Sequence, residues 1–449
     1  MRRDTSWRVV VAALFVFLLA IVSTAQAAID PTKVQKLVAG DGTAGELFGY
    51  SIAVSGDTAI IGAWGDDSDK GATYVFRRAT DGTWSQQAKL TADDGAYGDV
   101  FGVAVALSAD GRTAVIGAAG NTAADTSRPG LAYIFVYSGN SWTQQAKLTA
   151  ADGAGDAAYD TRDGLAELHG DLFGTSVSLS ADGSTALIGA SGAAEARGTA
   201  YIFTRTANGD WKQQAKLTAT DTDDRELGDS VSLSADGGTA LIGASNAAYI
   251  FIRTDGDVWS QKTKLAAAEG DKGRSFGRSV SLSADGSTAL VGAYDYKDRN
   301  STDNGEGFGA AYIFTRAKDV WSLQQELSDD IPENARTSNE GFGWAVSLSG
   351  DTALVGTLEV YNDKGKVSFP FYIFTRTEEV WNRQHELAAE PEKAGEDPDG
   401  YYGSSVAVSK DTALIGTVVD GEFKGAAHVF TRMGGWLPEH RAAAKGTQR

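Results

Sequence analysis

A single short stretch recurs along this chain, and its recurrence constrains the fold more than any other feature. Residues 171–190 read DLFGTSVSLSADGSTALIGA, and close copies begin at Phe101 and Phe276. Each copy opens with an aromatic residue or leucine followed by glycine, and there are seven: Phe48, Phe101, Phe173, Leu227, Phe276, Phe342 and Tyr402. A regular period of this kind predicts a repeat architecture, because each unit can bury its faces only against its neighbours.

Each copy contains four extended segments, as the third copy illustrates. Residues 176–180 alternate small polar and apolar side chains, which predicts a strand with two different faces. Residues 185–190 and 199–203 are nearly all apolar, as expected of strands packed on both faces, and residues 211–217 alternate again, as expected of an outer strand. Seven units of four antiparallel strands predict an all-β fold, a seven-bladed β-propeller.

The two ends of the chain predict how the ring closes. Six copies end in a Trp-containing segment that finishes with Lys-Leu or Glu-Leu, whereas the seventh has Trp436 followed by Pro438, which cannot donate to a ladder. The missing pair stands before the first copy, at Lys36 and Leu37. We therefore expect the N-terminal strand to complete the seventh blade, so that no blade edge is left unpaired.

The N-terminal residues have the pattern of a secretory signal peptide. Three arginines precede or adjoin an apolar run from Val9 to Val22, and Ala25 and Ala27 form a cleavage pattern. We expect residues 1–27 to be removed, residues 28–437 to form the propeller and residues 438–449 to form a polar tail. The mature chain is then expected to be secreted, extracellular or periplasmic, with no membrane span.

Charge and cysteine content exclude several classes of function. The formal net charge is −19, and removal of the signal peptide takes it to −21. Such a surface repels nucleic acid and anionic lipid, so we expect neither as a partner. The chain has no cysteine, which excludes disulfides, thiolate metal sites and cysteine nucleophiles.

The paired FG and GA motifs, for example Phe48-Gly49 and Gly62-Ala63, resemble the FG-GAP repeat family. That family includes the seven-bladed head of integrin α subunits, and the resemblance covers residues 34–437. In integrin-like repeats the turn between the first and second strands carries a calcium loop of the D-x-D-x-D-G type, since calcium takes six to eight oxygen ligands. Each turn here has one aspartate: Asp57, Asp110, Asp182, Asp236, Asp285, Asp351 and Asp411. We expect these aspartates to form tight turns, with no calcium or other cofactor.

Loop lengths predict which face of the ring binds a ligand. The loops between the second and third strands vary widely, from 8 residues between Gly243 and Phe251 to 22 between Gly292 and Phe314. Variable loops on a rigid scaffold are common binding surfaces. Aromatic, acidic and amide residues on these loops suit a sugar or a protein partner. The candidate residues are Trp64, Asp66, Asp67, Asp69, Tyr294, Asp295, Tyr296, Asp298, Tyr361 and Asp363. A cation held by the first three aspartates is an alternative to a solvated loop.

No catalytic motif stands out in the sequence. HExxH and P-loop patterns are absent, and His428 replaces the tyrosine of the third strand, which predicts a core residue. We therefore expect a monomeric, exported, non-enzymatic binding or adhesion module with a protein or carbohydrate ligand. Two alternatives stay open: a secreted polysaccharide hydrolase or lyase that uses carboxylates on one face, and a structural component of a cell surface.

Overall fold

The chain folds into seven β-sheets arranged in a ring. A computed structural model describes residues 27–120, 130–153, 171–221, 224–267, 275–294, 309–328, 341–358, 360–361, 367–389 and 405–435. The sheets are antiparallel, and the first strands of successive blades contact one another in a closed cycle around a central axis. The predicted all-β, seven-bladed propeller is confirmed.

Each blade runs outward from the axis in the order of its strands along the chain. The strands of blades 1 to 3 are β2 (Ser51–Ser55), β3 (Thr58–Ala63), β4 (Ala72–Arg78), β5 (Trp84–Leu90), β6 (Ala104–Leu107), β7 (Thr113–Ala118), β8 (Leu131–Ser138), β9 (Ser141–Leu148), β10 (Phe173–Leu179), β11 (Thr185–Ala190), β12 (Thr199–Arg205) and β13 (Trp211–Leu217). Those of blades 4 and 5 are β14 (Val231–Leu233), β15 (Thr239–Gly243), β16 (Ala248–Thr254), β17 (Val258–Leu265), β18 (Ser275–Leu282), β19 (Thr288–Tyr294), β20 (Ala310–Ala317) and β21 (Val320–Leu327).

Blade 6 has one strand more than its neighbours. Its strands are β22 (Ala345–Ser349), β23 (Thr352–Gly356), β24 (Val360–Tyr361), β25 (Val367–Thr377) and β26 (Val380–Ala389). The short β24 pairs antiparallel with the beginning of β25, so the described part of the loop between the second and third strands adds a strand to this blade.

Blade 7 joins the two ends of the chain. It consists of β27 (Ser405–Ser409), β28 (Thr412–Thr417), β29 (Ala426–Gly435) and the N-terminal β1 (Ala27–Leu37). β1 pairs antiparallel with β29, with Leu37 opposite Ala427 and Lys36 opposite His428. The prediction that the N-terminal strand completes the last blade is confirmed.

The hydrophobic core consists of layers between adjacent blades. Between blades 1 and 2, Ile60 and Val75 pack against Ile116 and Tyr133, all fully buried. The second and third strands are almost entirely apolar because both of their faces meet a neighbouring blade. The phenylalanine of the FG pair packs edge-on against the tyrosine of the third strand of its own blade, as Phe101 does with Tyr133 at 5.5 Å between ring centroids.

Close backbone contacts between blades explain the FG and GA glycines. A Cβ atom at Gly189 would lie 2.0 Å from the carbonyl oxygen of Gly228 in the next blade. Gly228 itself has φ +94°, a conformation that side chains other than hydrogen disfavour. The two glycines therefore repeat because neighbouring blades approach each other at this level.

Three single helical turns follow the second strands of blades 1, 3 and 7: α1 (Asp66–Asp69), α2 (Ala193–Ala196) and α3 (Asp420–Phe423). Among the described residues, no helix has the length and the apolar character needed to cross a membrane.

Candidate ligand-binding site

The first strands of all seven blades surround a narrow central channel. They line a cavity of about 270 Å³ with apolar and serine side chains, among them Ile52, Val105, Leu179, Val231, Ser281, Ser347 and Val406. Serines of these strands bond neighbouring blades to one another: Ser176 Oγ donates to the Gly228 carbonyl at 2.6 Å, and Ser178 Oγ accepts from the Leu233 amide at 3.0 Å. The repeated serines are therefore used in joining the blades.

One residue per blade stands at the mouth of this channel, directly after the FG pair. We call these positions the mouth ring; those described are Tyr50, Val103, Thr175, Asp229, Arg278 and Trp344. The FG glycine bonds to the last glycine of the second strand, as Gly102 N does to the Gly117 carbonyl at 2.9 Å. The mouth ring consequently lies on the face where the variable loops between second and third strands emerge.

An ion pair lies within the mouth ring. Arg278 of blade 5 binds Asp229 of blade 4 through Nη1 and Oδ2. Trp344 of blade 6 lies beneath the guanidinium, with 5.7 Å from Arg278 Cζ to the ring centroid, which suits a cation–π contact. Asp229 raises the pKa of Arg278 above its ordinary value, so this cation is permanent.

Tyr50 of blade 1 occupies the equivalent position of the mouth ring. Desolvation by the surrounding side chains is the main cause that raises the pKa of Tyr50 above its ordinary value. Of the two charged groups, Arg278 lowers this pKa and Asp229 raises it. Blades 4 and 5 are not neighbours of blade 1, so these side chains reach the mouth of the channel from separate parts of the ring. Tyr50 still keeps 39% of its surface exposed. It is therefore available to a ligand that enters the mouth.

Two of the predicted residues support this ring. Trp64 packs edge-on against Tyr50, with centroids 5.8 Å apart, and Tyr294 packs edge-on against Trp344, with centroids 4.8 Å apart. Each follows or ends the second strand of its blade, at the start of a variable loop. Trp64 and Tyr294 thus contact the mouth ring through Tyr50 and Trp344, two residues that were not predicted from the sequence.

Asp66 does not belong to the exposed face, contrary to the expectation for this loop. It is 3% exposed, and its Oδ2 lies 2.7 Å from Lys89 Nζ and 2.7 Å from the Tyr74 hydroxyl. Asp41, in the segment before blade 1, binds the same lysine at 2.8 Å. Asp66 is buried because it completes this cluster between the third and fourth strands.

The same cluster recurs in other blades, and we call it the interblade clip: an aspartate from the linker that precedes a blade, the lysine of its fourth strand and the tyrosine of its third strand. In blade 2, Asp94 binds Lys147 at 2.6 Å and Tyr133 at 3.0 Å. The corresponding pairs are Lys216 with Asp152 at 2.6 Å and Lys264 with Asp221 at 2.7 Å. In blade 7, Lys36 binds Asp420 at 2.8 Å; this aspartate follows the second strand, as Asp66 does in blade 1, and the buried His428 takes the place of the tyrosine.

The remaining predicted residues are placed as follows. Asp67 is exposed and pairs with Lys70 at 2.9 Å, and Asp69 is half-buried in the same turn. Asp66 and Asp67 therefore have different partners, and no group of three acidic or histidine side chains among the described residues is arranged to hold a metal ion. Tyr361 lies in β24. Asp295, Tyr296, Asp298 and Asp363 lie outside the described residues.

Four of the seven turn aspartates, Asp110, Asp182, Asp236 and Asp285, make the hydrogen bonds of a tight turn. Asp182 Oδ1 accepts hydrogen bonds from Ser180 Oγ at 2.6 Å and from the Ser184 amide at 2.9 Å. Asp110, Asp236 and Asp285 accept the corresponding bonds in their blades. These carboxylates close the hairpin between the first and second strands.

Four functional candidates, Tyr50, Asp229, Arg278 and Trp344, were missed by sequence reasoning. A signal was present: the position after FG changes from aromatic to acidic to basic between blades, whereas the positions around it hardly change. A variable residue inside a constant motif indicates a position that the fold does not dictate.

Solved structures share the architecture at low sequence identity. Hydrazine synthase of Kuenenia stuttgartiensis aligns with TM-score 0.52 and 12% identity, over 88% of this chain and 98% of that chain. The periplasmic gluconolactonase PpgL of Pseudomonas aeruginosa aligns with TM-score 0.42 and 15% identity, over 75% of this chain and 84% of that chain. The first likeness shows a common fold and the second is too weak to carry an argument. None of the curated protein sequences matches this chain.

The repeat itself matches a known sequence family. The profile described as the FG-GAP repeat matches residues 31–76, 84–135, 167–203, 259–314 and 381–430, which together make up more than half of the chain. These segments contain FG pairs, GA pairs and third strands of the blades described above. The chain belongs to the FG-GAP repeat family.

Proposed function

We propose that this protein is an exported, non-enzymatic binding or adhesion module whose ligand, a protein or a carbohydrate, binds at the mouth ring and the loops around it. The observation that carries the proposal is the position of Tyr50, Asp229 and Arg278, which come from separate blades around one narrow channel, with Asp229 bound to Arg278. Polar and aromatic groups from separate blades converge there on an open, concave surface, which is the usual form of a ligand site.

The composition of the ring favours binding over hydrolysis. Glycoside hydrolysis commonly needs two carboxyl groups that flank the scissile bond. Among the described mouth-ring positions one is a carboxylate, Asp229, and it is bound to Arg278. A permanently paired carboxylate is poorly suited to act as a general acid or base.

Export is the second part of the proposal and rests on the N-terminal signal pattern. When residues 1–449 are expressed in a bacterial host, we expect the exported protein to begin at residue 28. Mass spectrometry of the processed protein measures this directly, and retention of residues 1–27 in a cytoplasmic product would contradict it.

The binding site is tested with the mature chain, residues 28–449. Its binding to a broad array of glycans and extracellular proteins is compared with that of Trp344→Ala, which removes the support of Arg278, and of Ser287→Ala in a turn on the opposite face. We expect Trp344→Ala to lose the signal and Ser287→Ala to keep it. Equal binding by all three proteins would place the ligand elsewhere.

A further inference from the structure

The chemistry of the mouth ring indicates the class of ligand more closely. We infer that it binds a neutral sugar residue, an inference that rests on the proposed function of this site. Three properties of the described side chains support it: the cancelled charge, the paired hydrogen-bonding groups and one exposed aromatic ring.

The described side chains of the mouth ring carry no net charge. Arg278 and Asp229 neutralise each other, and the chain as a whole carries −19. An anionic sugar would meet the Asp229 carboxylate beside the guanidinium and an unfavourable field from the whole protein. A cationic ligand would have to compete with Arg278 for its partner. A neutral ligand meets neither obstacle.

The ion pair offers donors and acceptors side by side. The Arg278 side chain is 43% exposed and that of Asp229 16%. A guanidinium has five N–H donors and a carboxylate has several acceptor positions, so the pair keeps free bonding capacity on its exposed side. Neighbouring hydroxyl groups of a sugar both donate and accept, and they match such a pair without carrying charge.

Tyr50 supplies the apolar surface that a sugar ring needs. It is the mouth-ring aromatic whose ring is not covered by a cation, since Arg278 lies over Trp344. Trp64 holds Tyr50 edge-on, while Trp344, itself held by Tyr294, holds the guanidinium. Tyr50 is thus the stacking residue, and Trp64 and Trp344 are positioning residues.

The test uses the mature chain and four soluble probes: cellobiose, maltose and lactose as neutral sugars, and digalacturonate as an anionic one. Isothermal titration calorimetry should detect saturable binding of at least one neutral disaccharide and no binding of digalacturonate. Tyr50→Ala should weaken the neutral sugar at least tenfold, whereas Tyr97→Ala, which removes an exposed tyrosine outside the mouth ring, should leave it unchanged.

A variant that removes the negative charge of the ion pair tests the inference independently. Asp229→Asn leaves Arg278 without its counter-charge, so it should weaken the neutral sugar and allow digalacturonate to bind. Thermal unfolding of each variant, compared with the parent chain, verifies that the ring is intact.

The outcomes separate the two proposals. Failure of every neutral probe, or preference of the parent chain for digalacturonate, overturns the neutral-sugar inference. If an acidic glycan or a protein binds instead and Trp344→Ala abolishes that binding, the proposed binding function is supported and the neutral-sugar inference is wrong. Sugar binding that survives both Tyr50→Ala and Trp344→Ala removes the mouth ring from both proposals.

Discussion

Gly189 and Gly228 meet across the boundary between blades 3 and 4, where one hydrogen atom occupies the space that a methyl group would need. The obstacle is a carbonyl oxygen of the backbone, so relief requires movement of a whole blade. Such contacts recur at every described blade boundary that carries the GA glycine, for example at Gly62 and Gly416. At the residue scale, the spacing of the blades is therefore determined by glycine.

We expect Gly189→Ala to destabilise the protein by about 3 kcal/mol, because overpacking against backbone cannot be relieved by a side-chain rotation. Gly238→Ala is the matched control: its nearest contact would be 3.3 Å away, and the equivalent position is Ser184 or Ser287 in other blades. Its effect should stay within about 0.5 kcal/mol. Urea unfolding of both variants measures the difference, and equal midpoints would refute this account of the glycines.

The interblade clip predicts a pH-dependent contribution to stability. Lys216 lowers the pKa of Asp152. A lowered pKa in the folded state stabilises the protein above the unfolded pKa, about 3.9, and that stabilisation is lost as the pH falls through the folded value. Asp152 is half exposed, so we expect Lys216→Met to cost no more than about 1 kcal/mol at pH 7.

The cost of Lys216→Met should shrink as the pH falls below about 4, because Asp152 is protonated first in the unfolded chain and, at lower pH, also in the folded parent. Lys212→Met, at an exposed position of the same strand, serves as the control and should show no such dependence. The free energy of unfolding is measured in urea at pH 7 and at pH 3. A cost that is the same at both pH values would show that Lys216 acts through packing alone.

At the element scale, the boundary between blades 7 and 1 is the place where the strands from the two ends of the chain close the ring. Arg78, at the end of β4, binds Asp57 of its own blade at 2.7 Å and Asp411 of blade 7 at 3.0 Å. Arg376 of blade 6 binds Asp351 of its own blade at 2.7 Å. Both arginines also lie over a tryptophan ring. The two differ because Arg78 makes an ion pair across a blade boundary.

We expect Arg78→Gln to destabilise the protein by roughly 0.5–1 kcal/mol more than Arg376→Gln, since it alone loses the ion pair between blades. Chemical denaturation of the two variants at low and high salt gives the comparison. The excess should diminish at high salt, because ions screen exposed pairs. An equal cost for the two variants would mean that the contact with Asp411 contributes nothing to closure.

At the scale of the whole molecule, β1 replaces the fourth strand that the C-terminal end does not provide. Its removal would leave β29 with an unpaired edge, and such edges pair with other chains. We expect a chain of residues 38–449 to form oligomers or aggregates and to unfold several degrees lower than residues 28–449. Light scattering after gel filtration and thermal unfolding measure both effects.

A chain of residues 28–437, which lacks the predicted polar tail, is the control for that truncation. It should stay as monomeric and as heat-stable as residues 28–449. A monomeric chain without β1 and with an unchanged unfolding temperature would show that closure does not depend on this strand.

Much of the architecture was decided by local patterns in the sequence. The seven copies of the repeat predicted seven blades. The alternation of polar and apolar residues predicted the position of each strand within its blade, and the Lys36-Leu37 pair predicted that the N-terminal strand closes the ring. These features are predictable because strand packing depends mainly on which residues alternate and how often. The turn aspartates and His428 were interpreted correctly for the same reason.

The candidate site, in contrast, was decided by tertiary structure. Tyr50 and Arg278 share the mouth of one channel because a ring of seven blades brings distant first strands to one axis, and no local pattern encodes that arrangement. Asp66 lies in a loop that reads as exposed, yet it is buried because Lys89 and Tyr74 of the neighbouring strands neutralise and bind it. Sequence by itself determined the blades and their order; the closed ring decided which side chains share the mouth, since proximity across an axis depends on the geometry of all the blades together.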